Sequence, residues 1–287
     1  MDKLISKMVG KKVDGNVFGL EVEVEGDFYR LCERGGRNFN VERDGSLRNG
    51  GAEFILATPC DAKALVLRYR RLLANIKEDV GKQTGQAGIH IHVNVTDLTV
   101  SELLTMYTIL VCAEPCISKL YHPSRQYSLF ALPVAYAQEI VDFLCLSHRF
   151  RPTVLKWWKD LSQYKYCNIN LASVARNGTI ELRGLETLCS HRKLSRILNV
   201  LEAAKEMAKE YNTPMALIES LSDQGVKFVI DQLFGEDAQE LFNQKDCMDN
   251  LRIIQPLAYL CDSYEEEKPE GITKENFFKT VYYEMPE

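Results

Sequence analysis

Apolar and polar residues alternate strictly along the stretch from Phe18 to Glu25. Successive side chains of a β-strand point to opposite faces of the sheet, so Glu21, Glu23 and Glu25 are predicted to form one acidic row. The leucine and valines between them would face a core. An ordinary half-exposed strand has the same pattern, so this stretch alone favours a solvated surface over a functional one.

The alternation recurs from Gly88 to Val95, where His90, His92 and Asn94 share one face of a predicted strand. Two histidines two residues apart on a strand can reach one ion or one phosphate. A half-exposed strand can also carry such a pair by chance, so the histidines alone leave both interpretations open.

Residues 166–171 and 178–183 predict two more alternating strands. The dipeptide Asn177-Gly178 between them suits a tight hairpin turn, so we expect these strands to be antiparallel neighbours. Their polar positions, which share a face within each strand, are Asn168, Asn170, Glu181 and Arg183.

The rest of the chain supplies further strands and several helices. Residues 17–32 predict a hairpin of two strands that meet at Gly26-Asp27, and residues 52–58 predict a buried strand whose lone charge is Glu53. Apolar residues recur every three or four positions, as in amphipathic helices, over residues 61–84 and 191–211. Residues 99–121 predict a long apolar core helix that is interrupted by Pro115.

Together these elements predict an α+β fold: an antiparallel sheet with one polar face, and with helices covering its apolar face. Residues 214–262 predict shorter helices with breaks at Gly225 and Gly235. A charged linker and a final aromatic segment, residues 277–283, are predicted to follow, with the segment docking back on the body.

Composition narrows the class of protein. The chain has 287 residues, of which 46% are hydrophobic and 26% charged, and a net charge of −5. These values predict a soluble globular protein and give no field that would attract nucleic acid. We find no signal-peptide core and no unbroken apolar run long enough to cross a bilayer, so we expect a cytoplasmic protein without a membrane partner. The nine cysteines are scattered and odd in number, which favours reduced thiols.

The polar face has an unusual composition for a wet surface, because none of its predicted positions is a lysine. These positions are Glu21, Glu23, Glu53, His90, His92, Asn168, Asn170, Glu181 and Arg183. Carboxylates that converge on one face repel one another unless cations lie between them, and oxygen-rich sites are what Mg²⁺ and Mn²⁺ prefer. With Arg183 beside them, such ions would suit an anionic ligand such as a nucleoside triphosphate.

Five motifs in this order resemble those of the amidoligase family. They are Gly19-Leu20-Glu21-Val22-Glu23, Asp44-Gly45-Ser46-Leu47 with Gly51-Ala52-Glu53-Phe54-Ile55, Gly88-Ile89-His90-Ile91-His92-Val93, Asn168-Ile169-Asn170-Leu171 and Thr179-Ile180-Glu181-Leu182-Arg183. The family is similar to carboxylate-amine ligases of the glutamine synthetase and glutamate-cysteine ligase fold, and is often met in phage genomes. The resemblance implies a catalytic domain over residues 1–212 and a helical extension, residues 213–287, packed on the same body.

The resemblance also implies a role for each matching residue. It implies metal ligands at Glu21, Glu23, Glu53, His92 and Glu181, with catalytic roles for Glu53, His92 and Arg183. It further implies ATP contacts from Arg183, Arg125, His90, Asn168 and Asn170, and substrate contacts from Asp44, Ser46 and Arg125.

The implied activity is amide or isopeptide formation from a carboxylate and a small-molecule or peptide amine, through an acyl-phosphate, with ATP and Mg²⁺ or Mn²⁺. Three alternatives remain at this point. The same residues would serve a metal-dependent hydrolase or phosphatase, which needs no ATP. A silent binding or structural protein, such as a viral component, could keep the fold without activity, and the polar rows could be a plain wet surface.

Overall fold

The computed structural model of the protein describes residues 4–47, 50–81, 83–126, 128–137, 139–141, 144–145 and 165–262. These residues form an α+β fold built on one six-stranded sheet. Its strands are β1 (Phe18–Glu25), β2 (Phe39–Arg43), β3 (Gly51–Leu56), β4 (Gly88–Asn94), β5 (Ile169–Asn170) and β6 (Thr179–Glu186). The strand order is β2-β3-β1-β4-β6-β5, and each neighbouring pair is antiparallel.

Helices surround this sheet. Within the described residues they are α1 (Ile5–Val9), α2 (Phe28–Leu31), α3 (Ala62–Ile76), α4 (Val100–Lys119), α5 (Ala172–Asn177), α6 (His191–Tyr211), α7 (Pro214–Gln224), α8 (Lys227–Phe234), α9 (Ala238–Leu241) and α10 (Gln244–Asp262). Helix α3 contacts β1 and α6, and α4 contacts β5, α6 and the helices that follow α6. The core therefore lies between one face of the sheet and a layer of helices.

Cross-strand register decides which residues line each face. Leu20 of β1 pairs with Ile91 of β4, which pairs with Leu182 of β6. All three side chains are buried in the core. Because residues directly opposite one another share a face, the intervening polar positions of these strands lie together on the other side of the sheet.

Helix α4 continues without a break although it contains Pro115. Pro115 has no N–H to donate to the carbonyl of Val111, one turn earlier. The side chain of Asn250, on α10, fills that role by donating from Nδ2 to the Val111 oxygen at 2.8 Å. The predicted interruption of this helix is therefore absent, and the bond fastens α10 to α4.

Helix α4 is also long and apolar enough to cross a membrane by length and composition alone. However, 83% of its most apolar window is buried inside the fold. It packs as a core helix does, and its N-terminus is closed by a capping box between Thr99 and Glu102.

Three sequence predictions of local structure are wrong. Gly26-Asp27 does not form a hairpin, because Asp27 instead caps α2 by accepting from the backbone N–H of Tyr29 at 2.9 Å. Asn177-Gly178 ends α5, and Gly178 takes the left-handed conformation with φ of 72° that suits a helix C-terminus. The predicted helix over residues 61–84 ends early, at Ile76.

The C-terminal helices follow the predicted breaks. Helix α7 ends at Gly225 and α8 ends at Gly235, both with positive φ. These helices pack against α4 and α6 and share one hydrophobic core with the sheet. The predicted linker and aromatic segment after residue 262 lie outside the described residues.

The cysteines described by the structure are all free thiols. Cys116 on α4 and Cys247 on α10 approach to 3.6 Å between sulfurs without a disulfide bond. Cys167 lies beside the polar strand β5 but is buried on the apolar side, where burial raises the pKa of its thiol to about 12. A nucleophilic role for this thiol is therefore disfavoured.

Candidate active site

The polar face of the sheet brings carboxylates and imidazoles from four strands together. In cross-strand register, Glu21 lies opposite His90, Glu23 opposite Glu53, and His92 opposite Glu181. This arrangement follows from the period of two along each strand and from the antiparallel pairing between them. The residues that the sequence places on this face as metal ligands are thus neighbours in space.

His90 lies at the centre of the group. Its Nδ1 is 3.0 Å from Glu21 Oε2 and 3.5 Å from Glu181 Oε1. Its Nε2 is 3.6 Å from Glu23 Oε1. Glu23 is further held by the backbone N–H of Gly88, which donates to Glu23 Oε2 at 2.8 Å. Three carboxylates therefore surround one imidazole ring that is almost fully buried.

Glu21 and His92 perturb each other's ionisation. Burial disfavours the charge on Glu21, but its contacts with His90 and His92 together outweigh burial and hold its pKa well below the usual range. Burial likewise disfavours the charge on His92, but Glu21 and Glu181 raise the pKa of its ring above the ordinary value. Each group thus favours the charged form of the other.

Glu53 has the opposite perturbation. Burial, followed by the charges of Glu21 and Glu23, raises its pKa from 4.5 to about 7. Its direct cross-strand partner is Glu23, so two carboxylates face each other across the sheet. A cation placed among these groups would offset the repulsion that contributes to the raised pKa of Glu53.

Glu181 is anchored by two neighbours. Arg183 donates from Nη1 to Glu181 Oε1, and Asn170 donates from Nδ2 to Glu181 Oε2 at 2.7 Å. Among the described residues, Arg183 is the one fixed cation in contact with these carboxylates. The described residues of this face therefore include more carboxyl groups than fixed cations, with Arg183 at one edge.

Two sets of side chains are arranged so that each could hold a metal ion. Each residue offers one ligand atom, and the three atoms of each set lie within 4.8 Å of one another. The sets are Glu21, Glu53 and His90, and Glu21, His92 and Glu181. Glu21 belongs to both. Carboxylate oxygens suit Mg²⁺ and Mn²⁺, whereas imidazole nitrogen is a ligand that transition metals accept more readily than Mg²⁺ does.

The environment of His92 supports this fit. Its Nε2 is buried and makes no hydrogen bond, although Glu21 Oε1 lies 3.2 Å away. A buried nitrogen without a hydrogen bond is costly unless it has another function. A divalent cation between Glu21, His92 and Glu181 would satisfy this atom, so the residues present fit the metal that the sequence predicts.

Arg125 has a different setting from the one its predicted role implies. Its guanidinium is buried and donates to three backbone carbonyls, those of Gly85 at 2.8 Å, Gln86 at 3.0 Å and Arg183 at 2.6 Å. Burial also lowers the pKa of this group. Arg125 thus fastens the loop before β4 to the strand that carries Arg183. Because three N–H groups already donate to the backbone, the guanidinium has few donors left to bind ATP or substrate.

Asn168 is not brought to the cluster. Its Nδ2 donates to Glu114 Oε1 at 2.9 Å, and its Oδ1 accepts from the hydroxyl of Tyr121 at 3.1 Å. Glu114 lies on α4 and Tyr121 just after that helix, and both are buried. The alternation that places Asn168 beside Asn170 is overridden because β5 is only two residues long and starts after Asn168.

Asp44 and Ser46 lie in the turn after β2. The backbone N–H of Ser46 donates to Asp44 Oδ1 at 2.7 Å, which closes the turn. Asp44 is near enough to Glu53 for its charge to raise the pKa of that carboxyl. The turn therefore borders the acidic cluster on the Glu53 side, and Ser46 is exposed there.

Two residues near the cluster are absent from the sequence predictions. The hydroxyls of Thr179 and Ser173 approach His92 Nδ1 at 3.0 and 3.3 Å. Thr179 precedes Glu181 by two positions, so strand alternation could have placed it on the polar face. Ser173, in the first turn of α5, has no such signal in the sequence.

Comparison with known proteins shows the family of this chain. A family model described as "putative amidoligase enzyme" matches residues 4–203, which is more than half of the chain. This match supports a ligase-type enzyme. The chain is a member of the amidoligase family. No curated protein matches it.

Proposed function

We propose that this protein is an ATP-dependent carboxylate-amine ligase that forms an amide or isopeptide bond and uses Mg²⁺ or Mn²⁺. The observation that carries the proposal is the pair of potential metal groups that share Glu21 on one sheet face, with Arg183 at its edge. Membership of the amidoligase family supports the ligase class. We also propose that the enzyme acts in the cytoplasm, where ATP is available.

The reaction would proceed in two displacements. In the first, an oxygen of the substrate carboxylate bonds to the γ-phosphorus of ATP, the bond to the β–γ bridging oxygen breaks, and ADP leaves. In the second, the amine nitrogen bonds to the acyl carbon, inorganic phosphate leaves, and the nitrogen loses a proton. Phosphoryl transfer needs mainly positioning and charge neutralisation.

The side chains on the polar face would divide this work. Glu21, Glu23, Glu53, His92 and Glu181 would hold the divalent ions. When bound, those ions would neutralise charge on the phosphate oxygens. Arg183, oriented by its bond to Glu181, has further N–H groups that could bind the transferring phosphoryl group. Asn170 would act by holding Glu181 in place.

The acceptor side of the site would lie toward the turn after β2. Asp44 and Ser46 border Glu53 there, and a carboxylate beside the acidic cluster favours a positively charged group such as an amine. We therefore propose that the amine substrate enters over this turn, and that the carboxylate substrate lies closer to Arg183.

ADP release tests this proposal. The purified protein should release ADP from ATP when supplied with Mn²⁺ and a mixture of carboxylates and amines, and Glu21→Gln should abolish that release. This substitution removes the carboxylate shared by both potential metal groups. The variant should remain folded, because Glu21 lies outside the hydrophobic core and glutamine has nearly the same shape.

The matched control is Glu42→Gln on β2. Glu42 is exposed and pairs across strands with Glu53, but it belongs to neither potential metal group. Its substitution should leave ADP release unchanged. Full ADP release by Glu21→Gln would contradict the proposal. Metal-dependent hydrolysis of phosphate esters without ATP would favour the hydrolase instead.

A further inference from the structure

His92 is contacted differently at its two ring nitrogens. On one side, Nδ1 lies 3.0 Å from Thr179 Oγ1 and 3.3 Å from Ser173 Oγ. On the other side, Nε2 makes no hydrogen bond and lies 3.2 Å from Glu21 Oε1. The same ring belongs to the group of ligand atoms with Glu21 and Glu181. One nitrogen is therefore held by hydroxyls, and the other faces the carboxylates.

The two hydroxyls form a small network of their own. Ser173 Oγ lies 2.9 Å from Thr179 Oγ1, and the side-chain amide of Asn177 donates to Ser173 Oγ at 3.3 Å. The network exists because α5 ends at Gly178 and the chain turns directly into β6. Ser173 at the start of the helix and Thr179 at the start of the strand are thereby placed side by side.

We propose that Ser173 and Thr179 are positioning residues that set the tautomer and orientation of His92. They would accept the N–H of Nδ1, so that the lone pair of Nε2 points between Glu21 and Glu181 toward a divalent cation. This inference rests on the proposed metal-dependent function. It assigns to these hydroxyls no contact with substrate, nucleotide or metal.

The chemistry of a hydroxyl suits this role. A histidine that binds a metal through one nitrogen generally donates its other N–H to a fixed acceptor, which holds the ring and increases its basicity. Each hydroxyl oxygen can accept the N–H of Nδ1 at this distance, and a methyl group in the same place cannot.

The first test is Mn²⁺ affinity, measured by titration calorimetry without nucleotide. The double variant Ser173→Ala with Thr179→Val keeps the shape of the pocket but removes both hydroxyls, and should bind Mn²⁺ roughly 10- to 100-fold more weakly. Thr179→Ser alone keeps a hydroxyl and should remain near wild type. Thr105→Val is the matched control, because it removes a buried threonine hydroxyl that donates to the Ser101 carbonyl on α4. Its Mn²⁺ affinity should be unchanged.

The second test is spectroscopic. With ¹⁵N-labelled histidine and Mg²⁺, the wild-type ring of His92 should show a protonated Nδ1 and an unprotonated Nε2, with signals assigned by their loss in His92→Asn. The double variant should show a mixture of tautomers or the opposite one. Urea unfolding of every variant checks that each is folded.

The outcomes separate the inference from the function on which it rests. If the wild type binds Mn²⁺ and the double variant binds it equally tightly with the same ring protonation, the hydroxyls only fill space and the inference is wrong. If the wild type binds no divalent cation, both the inference and the metal-dependent function are wrong. Weaker binding in the control Thr105→Val, equal to that of the double variant, would also overturn the inference.

Discussion

Replacing Glu53 by glutamine should make the metal-free protein more stable at alkaline pH. Burial and the charges of Glu21 and Glu23 raise the pKa of Glu53 from 4.5 to about 7. A carboxyl whose pKa is raised by folding contributes stability that is fully present below its unfolded pKa of 4.5. That stability is lost as the pH rises through about 7. Glutamine has the same shape and does not ionise.

The size of the effect follows from the shift. One pKa unit corresponds to about 1.4 kcal/mol, so the full shift gives an upper limit of about 3 kcal/mol. Glu53 is only half-buried, and water screens the repulsion. We therefore expect Glu53→Gln to raise the free energy of unfolding by about 1 kcal/mol at about pH 8, with no gain at about pH 4.

Urea unfolding in the presence of a chelator at these two pH values measures the effect. Glu42→Gln is the control, because Glu42 is an exposed carboxylate on the same cross-strand row. It should show no comparable difference between the two pH values. Added Mn²⁺ should reverse the order of stability, since the wild type retains all ligands and gains more from binding. A Glu53→Gln variant no more stable than wild type at about pH 8 would refute this reasoning.

Two further predictions concern buried groups behind the site. A Cβ at position 88 would lie 2.5 Å from Arg125 Nη2, so Gly88→Ala should displace the guanidinium and lower the free energy of unfolding by about 2 kcal/mol. Gly45→Ala is the control, because a Cβ at position 45 would have no atom within 4 Å, and urea unfolding should show no loss of stability for it. A Gly88→Ala variant as stable as the wild type would contradict the prediction. The second prediction concerns Glu114, whose pKa is raised by burial from 4.5 to about 7. As the pH rises from 4.5 to about 7, the free energy of unfolding of the wild type should fall by about 1 kcal/mol per pH unit relative to that of Glu114→Gln, which does not ionise. If the free energies of unfolding of the wild type and of Glu114→Gln changed in parallel from about pH 4 to about pH 8, this prediction would be wrong.

Much of the sheet could be predicted because strand alternation is a local property of the sequence. The pattern around Glu21 and His92 fixes which side chains share a face, whatever the strand order. Antiparallel pairing then brings the predicted ligands together. The pattern alone could not show that Glu21 is shared by two potential metal groups, because that depends on the register between strands.

Local dipeptides were less informative than alternation. Gly26-Asp27 and Asn177-Gly178 both suit hairpin turns, yet Asp27 begins a helix and Gly178 ends one. The same residue types serve caps and turns, since both need a side-chain acceptor or a positive φ. Only the packing of the surrounding chain decides between these uses.

Long-range contacts account for the remaining differences. Asn168 is drawn away from the site by Glu114 and Tyr121, and Arg125 is occupied by three backbone carbonyls. Neither set of partners is adjacent in sequence to the residue that it binds. Ser173, in the first turn of α5, likewise contacts His92, which is far from it in sequence. A sequence pattern cannot show such contacts, because they depend on how helices pack on the sheet.

Thermal unfolding with Mg²⁺ alone, with ATP and Mg²⁺, and with ATP and a chelator tests the central claim most directly. A ligand at roughly a hundred times its dissociation constant adds about 2.7 kcal/mol to the free energy of unfolding. For a chain of this size that should raise the midpoint by about 5 °C. We predict that ATP and Mg²⁺ together raise the midpoint clearly more than Mg²⁺ alone does, and that Glu21→Gln loses this additional rise. An equal rise with metal alone, or no rise under any condition, would contradict the proposed ATP-dependent ligase.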